Sequence, residues 1–437
     1  MIGTHIAVHG LGYVGSVTAA CLAKNGYRVT GVDIKEPKVE AVAGGASPVE
    51  EPGLDDLVAD GVETGRLDAT TDTTAAVREA DLSFVCVGTP VDKTGDVDLD
   101  SVYSVARGLG ESLSNAGEYH TVVIRSTTPP GTTENVTDVI AKASGRTPGT
   151  DFGVVANPEF IREGSAIEDF HDPPFVVLGT HHNRSTDAVL DVYETIGVMP
   201  SRIFPVEPAE AEILKYACNG FHATKVAFAN EVGRICRAYG VDGRTVMEVF
   251  CQDRKLNISS QYLRPGFAFG GSCLHKDTRA LAGFGDRDVP LIDAVLPANE
   301  RHIRAAYERV VAADPDTVGV AGLAFKSGTD DVRNSPSLYL IRWLLNDGYD
   351  VVVYDPYVQS SELLGANGRF VEKLLPELDD LQVESFDSLV ELVSYVVIGS
   401  DDSTYEPLAD AEVTVLDPVG LFRDASLPDR RYDSLCW

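Results

Sequence analysis

Short apolar runs separated by helix-length amphipathic stretches dominate the first part of the chain, and this alternation predicts a parallel sheet with helices on its faces. The first run, His5 to His9, leads into an Ala-rich helical stretch through Lys24 and a second strand from Tyr27 to Asp33. Strand-length runs at Leu82 to Val87, Thr121 to Arg125 and Phe152 to Ala156 extend the sheet. From about Glu207 to Arg237 the period changes. Ile213, Tyr216, Ala217, Gly220, Phe221 and Thr224 recur at spacings of three and four, which predicts one long helix suited to a dimer core. Pro265 and the glycines after it are expected to end the helical region. Beyond about Pro315 the alternation restarts, with strands Thr317 to Leu323, Tyr349 to Tyr354, Tyr395 to Gly399 and Val413 to Leu416, and a helix near Ser337 to Asn346. The expected organisation is an α/β domain over 1–206, a helical region over 207–312 and a second, smaller α/β domain over 313–437.

Composition narrows the class. A chain of 437 residues with 44% hydrophobic content fills more than one core. Its net charge of −31 and the absence of a basic stripe argue against nucleic-acid or anionic-membrane partners, because long-range repulsion opposes both encounters. Arg outnumbers Lys by 25 to 11 while Asp and Glu spread along the whole length. This is the surface expected of a halophilic, high-salt cytoplasm, where screening makes such charge tolerable. Seven cysteines form no CxxC pair, no apolar run reaches the length of a membrane span, and the chain opens directly into a strand without a leader. A cytoplasmic, reduced protein is expected.

Candidate chemistry collects at the predicted strand ends. Gly10-Leu11-Gly12-Tyr13-Val14-Gly15 follows the first strand and opens the helix, the dinucleotide fingerprint in its proper context. Gly10 permits the tight turn, Gly12 lets the backbone approach a pyrophosphate, and Gly15 lets helix and strand pack closely. Asp33 ends the second strand 18 residues past Gly15, where a carboxylate accepts from ribose hydroxyls and repels a 2′-phosphate. NAD is therefore the expected cofactor. Thr89, Ser126-Thr127 and Asn157-Pro158-Glu159 end the later strands, on the edge where ligands lie in a doubly wound sheet. The second α/β unit has no such glycine loop, and its loop Phe325 to Arg333 brings Lys326 and Arg333 to an expected ligand edge. In Gly266 to Asp277, GFAFGGSCLHKD, one cysteine lies between a glycine-rich turn and a Lys-Asp pair. A nearby cation, Lys276, and a possible base, Asp277, favour a nucleophilic thiolate at Cys273. Lys215 and Asn219 fall four apart and project from one face of the long helix.

Taken together these motifs resemble the UDP-glucose/GDP-mannose dehydrogenase family nearly end to end. The passages Cys251 to Ser259, CQDRKLNIS, and Tyr262 to Cys273 are most similar to its GDP-mannose-oxidising branch, where the UDP-glucose enzymes carry an Asp-Arg-Ile-Gly run. The resemblance implies two Rossmann-type domains, the first holding NAD and the C-terminal one a nucleotide sugar, around a helical dimerisation region. It implies a four-electron oxidation of a nucleotide-sugar C6 alcohol to the uronate, GDP-mannose to GDP-mannuronate, with a UDP-hexose or UDP-N-acetylhexosamine as alternative substrate. A nucleotide-sugar sensor without catalysis is a remote alternative.

By position Cys273 forms the thiohemiacetal and thioester, Lys215 and Asn219 stabilise oxyanion charge, and Asp277 works with the lysine and water. Thr127, Glu159 and Glu163 order water and cofactor. The implied cofactor set adds Tyr13, Val14, Lys38, Thr89, Lys276 and Arg333 to the fingerprint residues. Around the sugar nucleotide the family positions are Phe160, Lys215, Asn219, Asn257, Tyr262, Arg264, Gly266, Phe267, Phe269, Gly270 and Lys326, with Arg264 reaching the site of the other subunit of a homodimer. Lys326, Arg333 and Lys276 suit a diphosphate. Asn257 reads the sugar or caps a turn. One departure stands out: His275 replaces the family's proline between Cys and Lys, and it is expected to face solvent.

Overall fold

In the computed structural model, residues 4–90, 96–114, 117–259, 262, 265–283, 288–360, 363, 365–422 and 431–436 are described, with the backbone alone at 237, 272, 273, 365 and 366. The chain divides into two compact units, Met1–Ala223 and Thr224–Trp437.

In the first unit eight strands form one sheet: β1 (His5–His9), β2 (Arg28–Val32), β3 (Leu67–Thr70), β4 (Leu82–Val85), β5 (His120–Ile124), β6 (Phe152–Ala156), β7 (Val176–Gly179) and β8 (Ile203–Val206). Their order is β3-β2-β1-β4-β5-β6-β7-β8, so the chain reverses its direction of growth between β1 and β4. The central strands are buried on both faces and read as continuous Val/Ile-rich runs, as expected of a sheet covered by helices. The sheet is not parallel throughout, which corrects the expectation: β7 pairs antiparallel to β6 through Ala156 and Gly179. The connection between them, residues 157–175, is mostly irregular and holds only the six-residue helix Ala166–His171 in place of a full crossover helix. The sequence pattern also missed β3, β7 and β8. Each has four residues, and β8 sits at the edge with Pro205 inside it, where a missing N–H is tolerated.

Three buried histidines stand at the ends of β1 (His5 and His9) and at the start of β5 (His120), where burial disfavours their charged form. Nε2 of His120 lies 2.9 Å and Nε2 of His9 3.4 Å from the hydroxyl of Ser83, while Nε2 of His5 lies 2.8 Å from the Thr30 hydroxyl. Burial pulls His9 down from its ordinary value to about 3 and His120 to about 4. Below the ordinary value of 6.5 the unfolded chain therefore binds protons that the fold refuses, and stability present above that pH is lost as the pH falls. The unfolding free energy from urea titration should fall between about pH 6.5 and pH 5, by about 1.4 kcal/mol per pH unit for each of His9 and His120, and His120→Asn should flatten that slope. A free energy independent of pH in this range would contradict the account.

The second unit carries five parallel strands, β9 (Thr317–Ala321), β10 (Asp350–Tyr354), β11 (Tyr395–Ile398), β12 (Thr414–Leu416) and β13 (Tyr432–Asp433), in the order β10-β9-β11-β12-β13. The helical region does not stop at Pro265. Helices Ser272–Ala282 and Pro290–Ala313 follow, because the Pro265–Gly271 stretch is a connection between helices and Pro290 occupies a first-turn position, where its missing N–H costs nothing. The long helix Pro208–Ala238 contributes one buried glutamate to each unit. Glu212 accepts from the backbone N–H groups of Gly131 and Thr133, capping helix Thr132–Ser144. Glu231 accepts from those of Leu291 and Ile292 at the start of helix Pro290–Ala313.

Candidate active site

At the C-terminal end of β1 the backbone turns at Gly10, with φ +98°, and a Cβ there would stand 2.8 Å from the carbonyl oxygen of Cys86. A Cβ on Gly15 would meet the carbonyl of Gly10 at 1.7 Å, so helix Tyr13–Lys24 rests directly on the loop. Gly12 faces open space, and the helix has no side-chain cap, which leaves first-turn N–H groups for an anion. This cradle fits a dinucleotide pyrophosphate. Asp33 shapes it: one carboxylate oxygen accepts from the N–H of Leu11 at 2.8 Å, the other from that of Lys35 at 2.9 Å, and Nζ of Lys38 lies 3.5 Å away. The second unit repeats the device without the glycine cradle. Gly322 turns at φ +106°, and Asp355 accepts from Leu323 and Ala324. Asp355 is fully buried and also accepts from Tyr357 and Val358, so it is a tie within the fold.

The ends of β4, β5 and β6 converge on the same edge. The Thr89 hydroxyl donates to the carbonyl of Thr127 at 2.8 Å, and both residues are half-buried. After β6 the turn Asn157-Pro158-Glu159 is held by its asparagine, whose amide donates to the carbonyl of Val177 at 2.9 Å. Glu159 accepts from the N–H of Ile161 at 2.7 Å with one oxygen and from Nζ of Lys215 at 3.0 Å with the other. Lys215 and Glu159 are 9% and 10% exposed, and the ammonium stands 5.4 Å over the Phe160 ring. The lysine is thus held away from solvent by one carboxylate and an aromatic face. Asn219 follows one turn later and is exposed, as is Glu163.

Glu51, which gave no signal in the sequence beyond a polar turn, holds this loop. Its carboxylate accepts from the N–H groups of Gly164 and Ala166 at 2.7 and 2.8 Å and from the hydroxyl of Tyr13. It thereby ties the first residue of the cofactor helix to the segment bearing Glu159 and Glu163. Those three hydrogen bonds outweigh its desolvation and keep its carboxyl below the ordinary range.

In the second unit the glycine-rich turn is shaped by one ring. Cβ positions on Gly270 and Gly271 would meet the side chain of Phe325, at 2.4 Å and 3.1 Å, and Gly271 has φ +78°. The N–H of Gly271 donates to the carbonyl of Arg333 and its own carbonyl accepts from Asn334. Helix Ser272–Ala282 starts there, so Cys273 lies in its first turn, where a thiolate is favoured; its side chain lies outside the described residues. Lys276 and Asp277 pair at 2.9 Å on the exposed surface. The guanidinium of Arg333 is held bidentate by Asp331 at 2.8 and 2.7 Å. A cleft of about 500 Å³ beside this helix is lined by His275, Lys276, Arg279, Arg333, Asn334 and Phe370 among others. His275 does not face solvent as expected. It is half-buried with its ring centroid 5.1 Å from that of Phe269, Nδ1 is buried without a partner, and burial pulls it below the ordinary histidine value. Gly266 accepts from the His302 ring at 2.8 Å, and Phe269 exchanges two hydrogen bonds with Asn299. Phe267 packs on the core of the unit. Asn257 donates to the carbonyl of Phe250 at 3.1 Å, a turn-capping contact. Lys326 and Tyr262 are exposed, the latter with φ 62°. Arg264 lies outside the described residues.

A dinucleotide cradle at the switch point of a sheet and a sequestered lysine–carboxylate pair on the same edge define an NAD-dependent dehydrogenase. The chain belongs to the UDP-glucose/GDP-mannose dehydrogenase family, matching its NAD binding domain over residues 4–197, its central domain over 209–301 and its UDP binding domain over 319–424. NAD is its cofactor and a nucleotide sugar its substrate class. It is 43% identical over 439 residues to a GDP-mannose 6-dehydrogenase of Pseudomonas syringae pv. syringae, covering 99% of this chain and 100% of that protein. A UDP-glucose 6-dehydrogenase of Haloferax volcanii is 38% identical, over 80% of this chain and 83% of that one. Among solved structures, a ternary complex of GDP-mannose dehydrogenase from Pseudomonas aeruginosa matches with a TM-score of 0.94 at 41% identity, covering 99% and 100% of the two chains. Among the described residues no helix is long and apolar enough to cross a membrane.

Proposed function

We propose that this enzyme oxidises C6 of GDP-mannose to the carboxylate of GDP-mannuronate. The observation that carries the reading is the end-to-end similarity to GDP-mannose 6-dehydrogenases, 43% over 99% of this chain, and the KLNIS segment supports it. The overall change is R–CH₂OH + 2 NAD⁺ + H₂O → R–COO⁻ + 2 NADH + 3 H⁺, the dinucleotide supplying a hydride acceptor in each of two rounds.

The residues divide the work. Lys215, charge-paired with Glu159, and Asn219 stabilise oxygen as it becomes anionic, first on the alcohol and then on the thiohemiacetal. Cys273 adds its sulfur to the C6 aldehyde, which converts a carbonyl carbon without a usable hydride into one that can release it, and leaves a thioester. Asp277 and Glu163 order and deprotonate the water that breaks the C–S bond, returning the thiolate. Gly10, Gly12, Tyr13, Val14, Gly15, Asp33, Lys38, Thr89, Thr127, Lys276 and Arg333 hold the dinucleotide. Phe160, Asn257, Tyr262, Gly266, Phe267, Phe269, Gly270 and Lys326 surround the sugar nucleotide. The division into 1–206, 207–312 and 313–437 is proposed on the same basis and is supported by the three matched segments.

A homodimer built on helix Pro208–Ala238 belongs to the reading, with Arg264 completing the other subunit's site; exposed Ile213 and Val226 on that helix support it. The cytoplasm is the proposed compartment, supported by cysteines that are unpaired wherever they are described. The net charge of −31 supports a high-salt working medium.

The test is a reaction with limiting GDP-mannose and excess NAD⁺, in dilute and in molar KCl. Two NADH per sugar and a uronate product are expected. One NADH per sugar, or turnover of UDP-glucose but not GDP-mannose, would sink the reading.

A further inference from the structure

Arg125, immediately after β5, is 5% exposed, yet both of its hydrogen-bond acceptors are neutral. Its Nη1 donates to Oδ1 of Asn157 at 3.0 Å and to the hydroxyl of Tyr193 at 2.8 Å, and the guanidinium carbon stands 5.7 Å from the centre of the Phe170 ring. Nε is buried and has no partner. A buried guanidinium with only neutral acceptors is costly, and such sites persist where the charge is used. The groups that face it narrow what it is used for. Cys21 from helix Tyr13–Lys24 and Cys86 beyond β4 are held neutral by burial, each pushed up to about 12, and Tyr193 is the neutral acceptor on helix Asn183–Ile196. Asp169 on helix Ala166–His171 is engaged by both ends of Arg162, at 2.9 and 2.7 Å. That leaves Glu159, two residues past Asn157 and the partner of Lys215. A cavity of about 20 Å³ is walled by both Arg125 and Glu159, large enough for one water that would accept from the orphan Nε.

We propose that Arg125 is a positioning residue for the oxidation: its Nη1 seats Asn157, and with it the turn bearing Glu159, while its buried charge stands on the wall of the cavity that Glu159 also lines, behind the contact with Lys215. The proposal rests on the reading of Lys215 and Glu159 as proton-transfer machinery. It deepens that reading by naming the group that holds the turn of Glu159 in place and presents a buried positive charge to it. A role in folding alone would leave pH dependence untouched.

The test compares kcat against pH for the parent enzyme, Arg125→Met and Arg125→Lys, on whichever of GDP-mannose and UDP-glucose the parent turns over. Arg125→Met should lower kcat about 10-fold or more, with KM for NAD⁺ within about twofold, and move the acidic limb up by about one pH unit. Arg125→Lys should keep the parental limb, because the charge remains, but still lower kcat, because one ammonium cannot reproduce the fork. Superimposable limbs for the parent and Arg125→Met overturn the proposal. If Arg125→Met does not fold, Arg125→Lys decides: a parental limb with reduced kcat supports the proposal and any other result overturns it. Carboxyl NMR of ¹³C-glutamate protein, with Glu159→Gln to assign the signal, reads the same shift without turnover. An inactive parent therefore defeats the functional reading, whereas an unmoved Glu159 titration defeats only this proposal.

Discussion

Replacing Cys273 by alanine is expected to lower uronate formation at least about 10³-fold, with NAD⁺ affinity held within about twofold of the parent. Each round of oxidation needs a carbon bearing both a hydrogen and an oxygen able to push it out as hydride. The C6 alcohol offers that once. The aldehyde it becomes offers it again only after a nucleophile has added. Removing the sulfur should therefore separate the two rounds: NADH stoichiometry falls to one per sugar or below, and the aldehyde or its hydrate accumulates in place of the acid. The measurement is product analysis beside NADH absorbance. A variant that still yields two NADH per sugar would show that addition of water to the aldehyde suffices, and the cysteine would lose its role. The glycine-rich turn before the residue permits a close approach to Phe325, and the helix first turn favours a thiolate, so alkylation of the parent enzyme should inactivate it and bound sugar nucleotide should protect it.

A second large effect is expected at the buried ion pair. Lys215→Met should reduce kcat by about 10²- to 10⁴-fold, since in the proposed mechanism the ammonium both carries protons and stabilises the oxyanion. It should also destabilise the fold by about 3 kcal/mol, since Glu159, 10% exposed, would be left as an unpaired buried charge. These two losses can be told apart. In the double variant Lys215→Met/Glu159→Gln the unpaired charge is gone, so most of the stability should return while kcat stays low. If activity returns with stability, the pair is structural. If neither changes in the single variant, the 3.0 Å contact has no consequence in solution.

Legibility differed between the two halves of the chemistry. The cofactor loop was readable because its function is carried by the backbone: Gly10 must adopt φ +98°, Gly15 must have no Cβ, and both demands are written as residue types at set spacings. That Lys215 and Asn219 lie one turn apart on one helix was readable because a helix converts a spacing of four into one face, while the roles proposed for them came from the resemblance. Glu51 and Arg125 were not, because what they do depends on which distant groups lie beside them. An arginine ending the apolar run of β5 was the available signal, since a charge there must be buried or turned outward, but nothing local distinguished the two. His275 failed for the same reason: an imidazole between a cysteine and a lysine reads as polar surface, and only the ring of Phe269 makes it half-buried.

What the sequence by itself determined is the two α/β units, the central helix and the dinucleotide cradle, each following from local periodicity or from glycines whose conformational demands are local, while the class of reaction came from the resemblance that the motifs carry. Only the tertiary structure decided that β7 runs against β6, that one carboxylate ties Tyr13 to the loop of Glu159, that Lys215 is sequestered, and that a guanidinium stands behind the pair with no anion of its own. These are matters of desolvation and of contacts between residues far apart in the chain, such as the 56 positions separating Lys215 from Glu159, and no local pattern encodes them.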